Sequence, residues 1–455
     1  MLWIQKDRIL IFQIVLMIWD MNLGNRNDDM LLRFSVENYR SIKDKAVLDF
    51  EAATYKSLNH DERLLKTDYG EYLPVISING KNGGGKSNVL RAMWVAVQFI
   101  VNAHRTQTEV AEIPVTAFLL DDISRNNPTK FEFDYICEGY RYQYGFAATK
   151  KTITEEHLSI WQAGRVRTIF LREYQNYTFQ ANKDRGLLAM IQKAVRCNQL
   201  FLAVSNTLNY QPCISAMKWF RSKVFFSRNY ADIDEGILSH YEDREMLKYV
   251  RDMILRADIG IADMSFGEEV TKDYFDSKYR DLSQFIRQLK ELLYIDNKKD
   301  GSDYYDQIRI LLLHTGMGDN NTNKSFPLSL ADESDGTVML MTHAMLLGKA
   351  LNEGGLCVID DIETRLHPHL IEYIVKRFQN QEKRTGAQLL FTTNSIDILE
   401  RELIGKDQYY FVDKNSRTGI TELYSLCDFL EYEDEKIGRA YLIGKYGAVP
   451  YIQSM

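Results

Sequence analysis

The residues best equipped for chemistry stand together at Gly80-Lys81-Asn82-Gly83-Gly84-Gly85-Lys86-Ser87. The spacing is G-x-x-x-x-G-K-S: the glycines let successive backbone N–H groups turn inward around an anion, and a lysine and a hydroxyl close on it. Lys86 is expected to reach the β- and γ-phosphates of a nucleotide, and the Ser87 hydroxyl to hold Mg²⁺. Gly80, Asn82, Gly83, Gly85, Lys86, Ser87 and Asn88 are the candidate nucleotide-binding residues. A second signal is Leu356-Cys357-Val358-Ile359-Asp360-Asp361, an apolar strand ending in two carboxylates. Asp360 suits the same Mg²⁺ as Ser87, and Asp361 would face the attacking water as base or orienter. A third is Glu333-Ser334-Asp335-Gly336-Thr337, which opens an apolar helix running to about Leu351. Ser334 and Gly336 there form either an anion-binding arrangement or an ordinary serine N-cap. His367 and His369 invite a metal reading, but no further ligand set accompanies them.

These residues need elements to hold them. The β-branched run Val75–Asn79 leads into the glycine-rich loop, and Val89, Met93, Ala96 and Ile100 recur behind it at helical spacing. That helix points its positive dipole end at the bound anion. Gln388 to Ser395 reads as another apolar strand with a polar end, and Leu31–Val36 and Ala46–Phe50 read as a hairpin. Between the hairpin strands lies Asn38-Tyr39-Arg40-Ser41, where Arg40 is either a solvated turn residue or a neighbour of the nucleotide.

Residues 130–180 resemble an antiparallel meander, with strands at Lys130–Cys137, Tyr140–Ala147, Thr152–Trp161 and Val166–Tyr174. The alternation of its tyrosines fits a half-buried sheet better than a base-stacking surface. Glycine then becomes sparse, and Gly186–Arg196, Ile214–Arg221 and Arg244–Arg256 carry helical periodicity. Lys278 to Leu293 is a further candidate helix, serving as a partner-binding arm or as core packing, and Asn297 to Asp303 reads as a loop. The expected organisation is an α/β P-loop head with an antiparallel β-meander and a helical insertion. Its parts are an N-terminal appendage at 1–29, head at 30–180, insertion at 181–309 and head again at 310–455.

A chain of 455 residues, 45% hydrophobic and 26% charged, has the composition of a soluble globular protein of two or three domains. Its net charge of −7 argues against a generally nucleic-acid-coating surface, while a local basic groove leaves nucleic acid open as a partner. The five cysteines show no C-x-x-C spacing, as expected of a reduced cytoplasmic protein without structural zinc. Lys6 and Arg8 precede the apolar run Ile9 to Trp19, but this is short for a bilayer span and no small-residue cleavage site follows. Residues 1–29 are read as an appendage, with Met30 as the functional start and no membrane partner. A transporter is disfavoured because no permease segment is present.

The order Asn38-Tyr39-Arg40-Ser41, the glycine-rich loop through Asn88, Glu333 to Thr337, Asp360-Asp361 with Leu366-His367-Pro368, and Phe391 to Asn394 resembles the RecF/SMC-like branch of ABC-type ATPases. Asp407-Gln408-Tyr409-Tyr410-Phe411-Val412 and the ending Tyr446-Gly447-Ala448-Val449-Pro450-Tyr451 narrow the resemblance to compact ATPases of bacterial defence and abortive-infection loci, which act beside a separate effector. The resemblance runs from Met30 to the C-terminus and implies ATP and Mg²⁺ sandwiched between two heads of a homodimer or higher homo-oligomer. Lys86 and Ser87 would then serve one subunit, with Ser334 and Gly336 touching the γ-phosphate from the other. Asp361 stands where such ATPases usually carry a catalytic glutamate, and Asn394 where a switch histidine usually stands, so hydrolysis is expected to be slow. Two roles compete: control of an effector during phage attack, and a DNA-repair or chromosome-associated ATPase clamping DNA. A self-contained nuclease is a weaker third, because no domain of clustered acids follows residue 400.

Overall fold

The structure, a computed structural model, describes residues 29–450 apart from 54–62, 107, 109, 163, 181–183, 228–243, 258–259, 269–307, 318–322, 330–331, 365, 382–384, 402 and 430–435. The apolar run at 9–19, the candidate helix at 278–293 and the loop at 297–303 therefore lie outside the described residues. Strands β1 (Met30–Glu37) and β2 (Ala46–Asp49) form the expected antiparallel hairpin. A small hairpin, β3 (Leu65–Thr67) and β4 (Gly70–Tyr72), precedes β5 (Val75–Asn79). The apolar stripe read behind the glycine-rich loop becomes α1 (Lys86–Asn102), which buries Val89, Met93, Ala96 and Ile100.

The meander follows as β6 (Thr129–Cys137), β7 (Tyr140–Ala148), β8 (Ile153–Gln162), β9 (Arg165–Glu173) and β10 (Asn176–Phe179). Glu138 and Gly139 turn β6 into β7 with both φ values positive, the two-residue hairpin geometry that matches strand twist. Helices α2 (Arg185–Ala194), α3 (Phe201–Thr207) and α4 (Gln211–Ser222) come next, then β11 (Val224–Ser227), α5 (Arg244–Arg256) and β12 (Ile261–Glu268). Beyond lie β13 (Ile308–Met317), β14 (Asn323–Ser329), α6 (Asp335–Glu353), β15 (Gly355–Ile359), α7 (Pro368–Gln379) and β16 (Ala387–Thr393). The chain closes with α8 (Ile396–Glu400), β17 (Tyr409–Lys414), β18 (Thr421–Ser425) and α9 (Ile437–Leu442).

Two large sheets organise these elements. The antiparallel sheet runs β10-β9-β8-β7-β6-β1-β2, and the central sheet runs β11-β15-β16-β5-β17-β18, parallel except at β17–β18. Strands β5, β15 and β16 are buried at every position, which is why they read as continuous apolar runs rather than alternating ones. One core lies between the antiparallel sheet, α1 and α2–α4; the other lies on the far face of the central sheet, against α5, α6 and α7. The meander tyrosines belong to the first core: Tyr135, Tyr142 and Tyr144 are buried, and Tyr135 stacks on Trp219 of α4 at 5.0 Å.

The stretch 181–309, expected as a helical insertion, is more mixed than its periodicity suggests. Strand β11 pairs with β15 in the central sheet, and β12 joins β13 and β14 in a separate three-stranded sheet. The four-residue β11 is too short to show a period, and its paired residues on β15 lie 132 positions further along the chain, so local pattern carries no trace of it. Asp29, assigned by sequence to the appendage, is buried instead; it accepts from the Glu138 amide at 2.6 Å and pairs with Lys223 at 3.3 Å.

Two buried polar devices lock the layers. Gln388 of β16 accepts from the Leu31 amide at 2.7 Å and donates to the Leu31 carbonyl at 2.9 Å, tying the central sheet to β1. Glu156 of β8 pairs with Arg172 of β9 at 3.1 Å, both side chains fully buried, and accepts from the Phe201 and Leu202 amides that open α3 at 2.7 and 2.9 Å. Removing one partner leaves the other charge buried without its counter-ion. Arg172→Met should therefore cost about 3 kcal/mol, the lower end for a broken buried pair because Glu156 keeps its amide donors; the shift in urea midpoint measures it.

Candidate nucleotide site

The C-terminal ends of β15, β16 and β5 lie side by side, and the chemistry read from sequence gathers there. The loop after β5 begins at Gly80, whose φ is 156° and whose missing side chain lets the loop pack against the Val412 carbonyl of β17. Gly85 caps α1 at φ 112°, where a Cβ would press on Thr421. Asn82 and Gly83 form the exposed crest. The Lys81 amide donates to the Ala448 carbonyl at 2.8 Å, and the Lys81 side chain pairs with Asp413 at 2.8 Å, so the C-terminal segment and β17 brace the loop.

Lys86 turns back over the loop. Its ammonium donates to the Gly80 carbonyl at 2.8 Å and the Lys81 carbonyl at 3.3 Å, and also meets Asn394 Oδ1 beyond β16. Burial lowers its pKa, opposed by the nearby Asp361, Glu363 and Asp360 carboxylates. Ser87 Oγ lies 3.2 Å from Asp360 Oδ1, which also accepts from Thr392 Oγ1 at 2.6 Å. Ser87 and Asp360 thus offer converging hard oxygen donors of the kind Mg²⁺ takes alongside phosphate. Asn88, the next residue, donates to Ser41 Oγ at 2.7 Å, and Thr421 Oγ1 lies 2.8 Å from the same hydroxyl. In the turn whose role was open, Ser41 meets the start of α1, while Arg40 is exposed and lies over the Tyr39 ring at 5.8 Å.

Asp361 adopts φ 47°, a left-handed conformation that aspartate tolerates better than most residues, and its amide donates to Thr392 Oγ1 at 2.7 Å. Burial, Asp360 and Glu363 raise its pKa, opposed by Lys86 and by a hydrogen bond with Thr392. The sequence reading passed over Glu363. One of its carboxylate oxygens accepts from the Asn394 amide at 2.6 Å, and the other is buried without a hydrogen-bond partner among the described residues. Its signal was an acid two residues beyond the Asp360-Asp361 pair, easily taken for part of a solvated turn.

Ser334 and Gly336 lie at the start of α6. Ser334 caps α6, accepting from the Thr337 amide at 3.1 Å, and no hydrogen bond among the described residues links either one to Lys86, Ser87 or Asp360. His367 caps α7, its ring accepting from the His369 amide at 3.2 Å.

The sheet order, the phosphate loop after β5 and the acidic strand end after β15 define an ABC-type P-loop ATPase head joined to an antiparallel meander. The family model described as "AAA domain, putative AbiEii toxin, Type IV TA system" matches residues 75–186 and 203–400, and the chain belongs to that family. Among solved structures it is similar to an SMC head bound to the C-terminal winged-helix domain of ScpA, at 11% identity and a TM-score of 0.43, over 89% of this chain and 98% of that one. It is also similar to the SMC head domain from Thermotoga maritima, at 10% identity and a TM-score of 0.37, over 89% of this chain and 100% of that one. No curated protein matches the chain. No helix among the described residues is long and apolar enough to cross a membrane.

The raised Asp361 pKa has a consequence for stability. A carboxyl whose folded pKa lies above its unfolded value stabilises the fold when protonated and loses that contribution as pH rises through the folded pKa. Asp361→Asn should therefore melt above wild type near pH 7 in metal- and nucleotide-free buffer, and the gap should narrow as the pH falls toward the ordinary aspartate range; calorimetry across pH checks this.

Proposed function

We propose that the chain binds ATP with Mg²⁺, hydrolyses it slowly, and works as a dimeric cytoplasmic sensor or scaffold that controls a separate effector in anti-phage defence. The observation that carries the nucleotide reading is the meeting of Lys86, Ser87, Asp360 and Asn394 at three adjacent strand ends. Membership of a family described by an AbiEii toxin supports the defence role. None of the five cysteines forms a disulfide, which supports a reducing compartment.

In this reading the loop amides and Lys86 hold the phosphates. Lys86 exchanges its contacts with the Gly80 and Lys81 carbonyls for phosphate oxygens of higher charge density. Ser87 and Asp360 would hold Mg²⁺, which would supply positive charge against the phosphates. Asp361 orients the attacking water, and Asn394, which cannot titrate near neutral pH, keeps Lys86 in register. Ser334 and Gly336 lie at the start of a helix, an anion-binding position suited to the phosphate of a facing subunit.

Lys86→Ala should abolish tight ATP binding in a fluorescence titration and remove protection in a phage plating assay; unchanged affinity would refute the assignment. Asp361→Asn should retain ATP binding and slow its hydrolysis. Lys86→Ala and Ser334→Arg should each inactivate a homodimer, while a mixture with exchanged subunits contains one site with both residues intact. The mixture should recover ATPase activity, and full activity of Ser334→Arg alone would sink the shared site.

A further inference from the structure

Two residues beyond Asp361 stands a further carboxylate, Glu363, close enough to Lys86 and Asp361 to act on the charge of both. Glu363 is fixed there by a chain of contacts. Its Oε1 accepts from the Asn394 amide at 2.6 Å, and the Asn394 side chain in turn meets the Lys86 ammonium. The carboxylate is thus anchored to the residue that touches the phosphate-binding lysine.

Its second oxygen is the informative atom. Oε2 of Glu363 is shut from bulk solvent and has no hydrogen-bond donor among the described residues. A buried carboxylate oxygen without a donor is costly and calls for a partner that arrives with ligand. A carboxylate beside the lysine of the phosphate site, with one oxygen pinned and the other awaiting a partner, is held as a proton acceptor for water needs to be.

We infer that Glu363 is the general base of the site, and that Asp361 assists by orienting the same water. This rests on the ATPase reading above. The water oxygen forms a bond to the γ-phosphorus as the bond from that phosphorus to the β–γ bridging oxygen breaks. The bridging electron pair leaves on ADP, and one water proton passes to Oε2 of Glu363 and then to solvent, so the products are ADP, inorganic phosphate and a proton. Asn394 is a positioning residue in this scheme, since its amide holds the base and its side chain meets the lysine.

The test uses the full chain with Mg²⁺ and ATP, and reads single-turnover hydrolysis and nucleotide affinity separately. Glu363→Gln keeps the shape and an acceptor oxygen but cannot take the proton. It should bind ATP within about threefold of wild type, melt at the wild-type temperature, and hydrolyse at least about 100-fold more slowly, the usual contribution of a general base. Glu363→Asp keeps the acid with shorter reach, and its rate should fall between those of wild type and Glu363→Gln. A Glu363→Gln protein that hydrolyses within threefold of wild type overturns the assignment while leaving the ATPase reading intact. A drop in affinity equal to the drop in rate also overturns it, since that marks a structural role. A wild-type chain that binds ATP without turning it over overturns both readings together.

Discussion

In the parallel register of β15, β16 and β5, Ile359 lies opposite Phe391 and Thr393 opposite Asn79. That alignment places the next residues of each strand, Asp360, Asn394 and Gly80, at one edge of the sheet. Parallel strands that end together bring their following loops together, and ligand sites in open α/β sheets form outside those carboxyl ends. Strand β16 is the middle one, and its Thr392 and the Asn394 that follows it link the acidic loop on one side to the lysine on the other. Misalign β16 by one residue and Thr392 would face the opposite side of the sheet.

The charge balance of the site follows from this crowding. Asp360, Asp361 and Glu363 share one lysine, and burial of Lys86 and Asp361 disfavours the charged form of each. The arrangement is held by backbone rather than by the side chains alone. The Asp361 amide is pinned to Thr392, and the Lys81 amide to the Ala448 carbonyl of the C-terminal segment. Such anchoring keeps carboxylates close despite their repulsion, leaving a site whose resting electrostatics favour added positive charge.

Remote packing supports the same edge. Gln388, on the buried strand β16, spends its amide on the Leu31 backbone, so the antiparallel sheet cannot slide over the central one without breaking two buried hydrogen bonds. Glu156 and Arg172 do the same between the meander and α3. Ser41 of the turn between β1 and β2 and Thr421 of β18, far apart in the chain, close on Asn88 and Gly84 and carry that rigidity to the phosphate loop.

The amino-acid sequence by itself determined the phosphate loop, the strand and helix that flank it, the acidic end of β15 and the meander, because each is a short-range pattern. Glycine spacing sets backbone freedom, apolar runs of strand length set buried strands, and polar ends set where they stop. Asp29 and the strands β11 and β12 escaped, since their pairing partners lie far along the chain and their own pattern is short or weak. Among site residues, only tertiary structure decided that Thr392, Thr421, Ser41 and Glu363 belong with Lys86 and Asp360. Threonine, serine and an acid after a turn are common on any surface. What selects these few is the parallel strand order, and strand order is a property of the whole chain's packing.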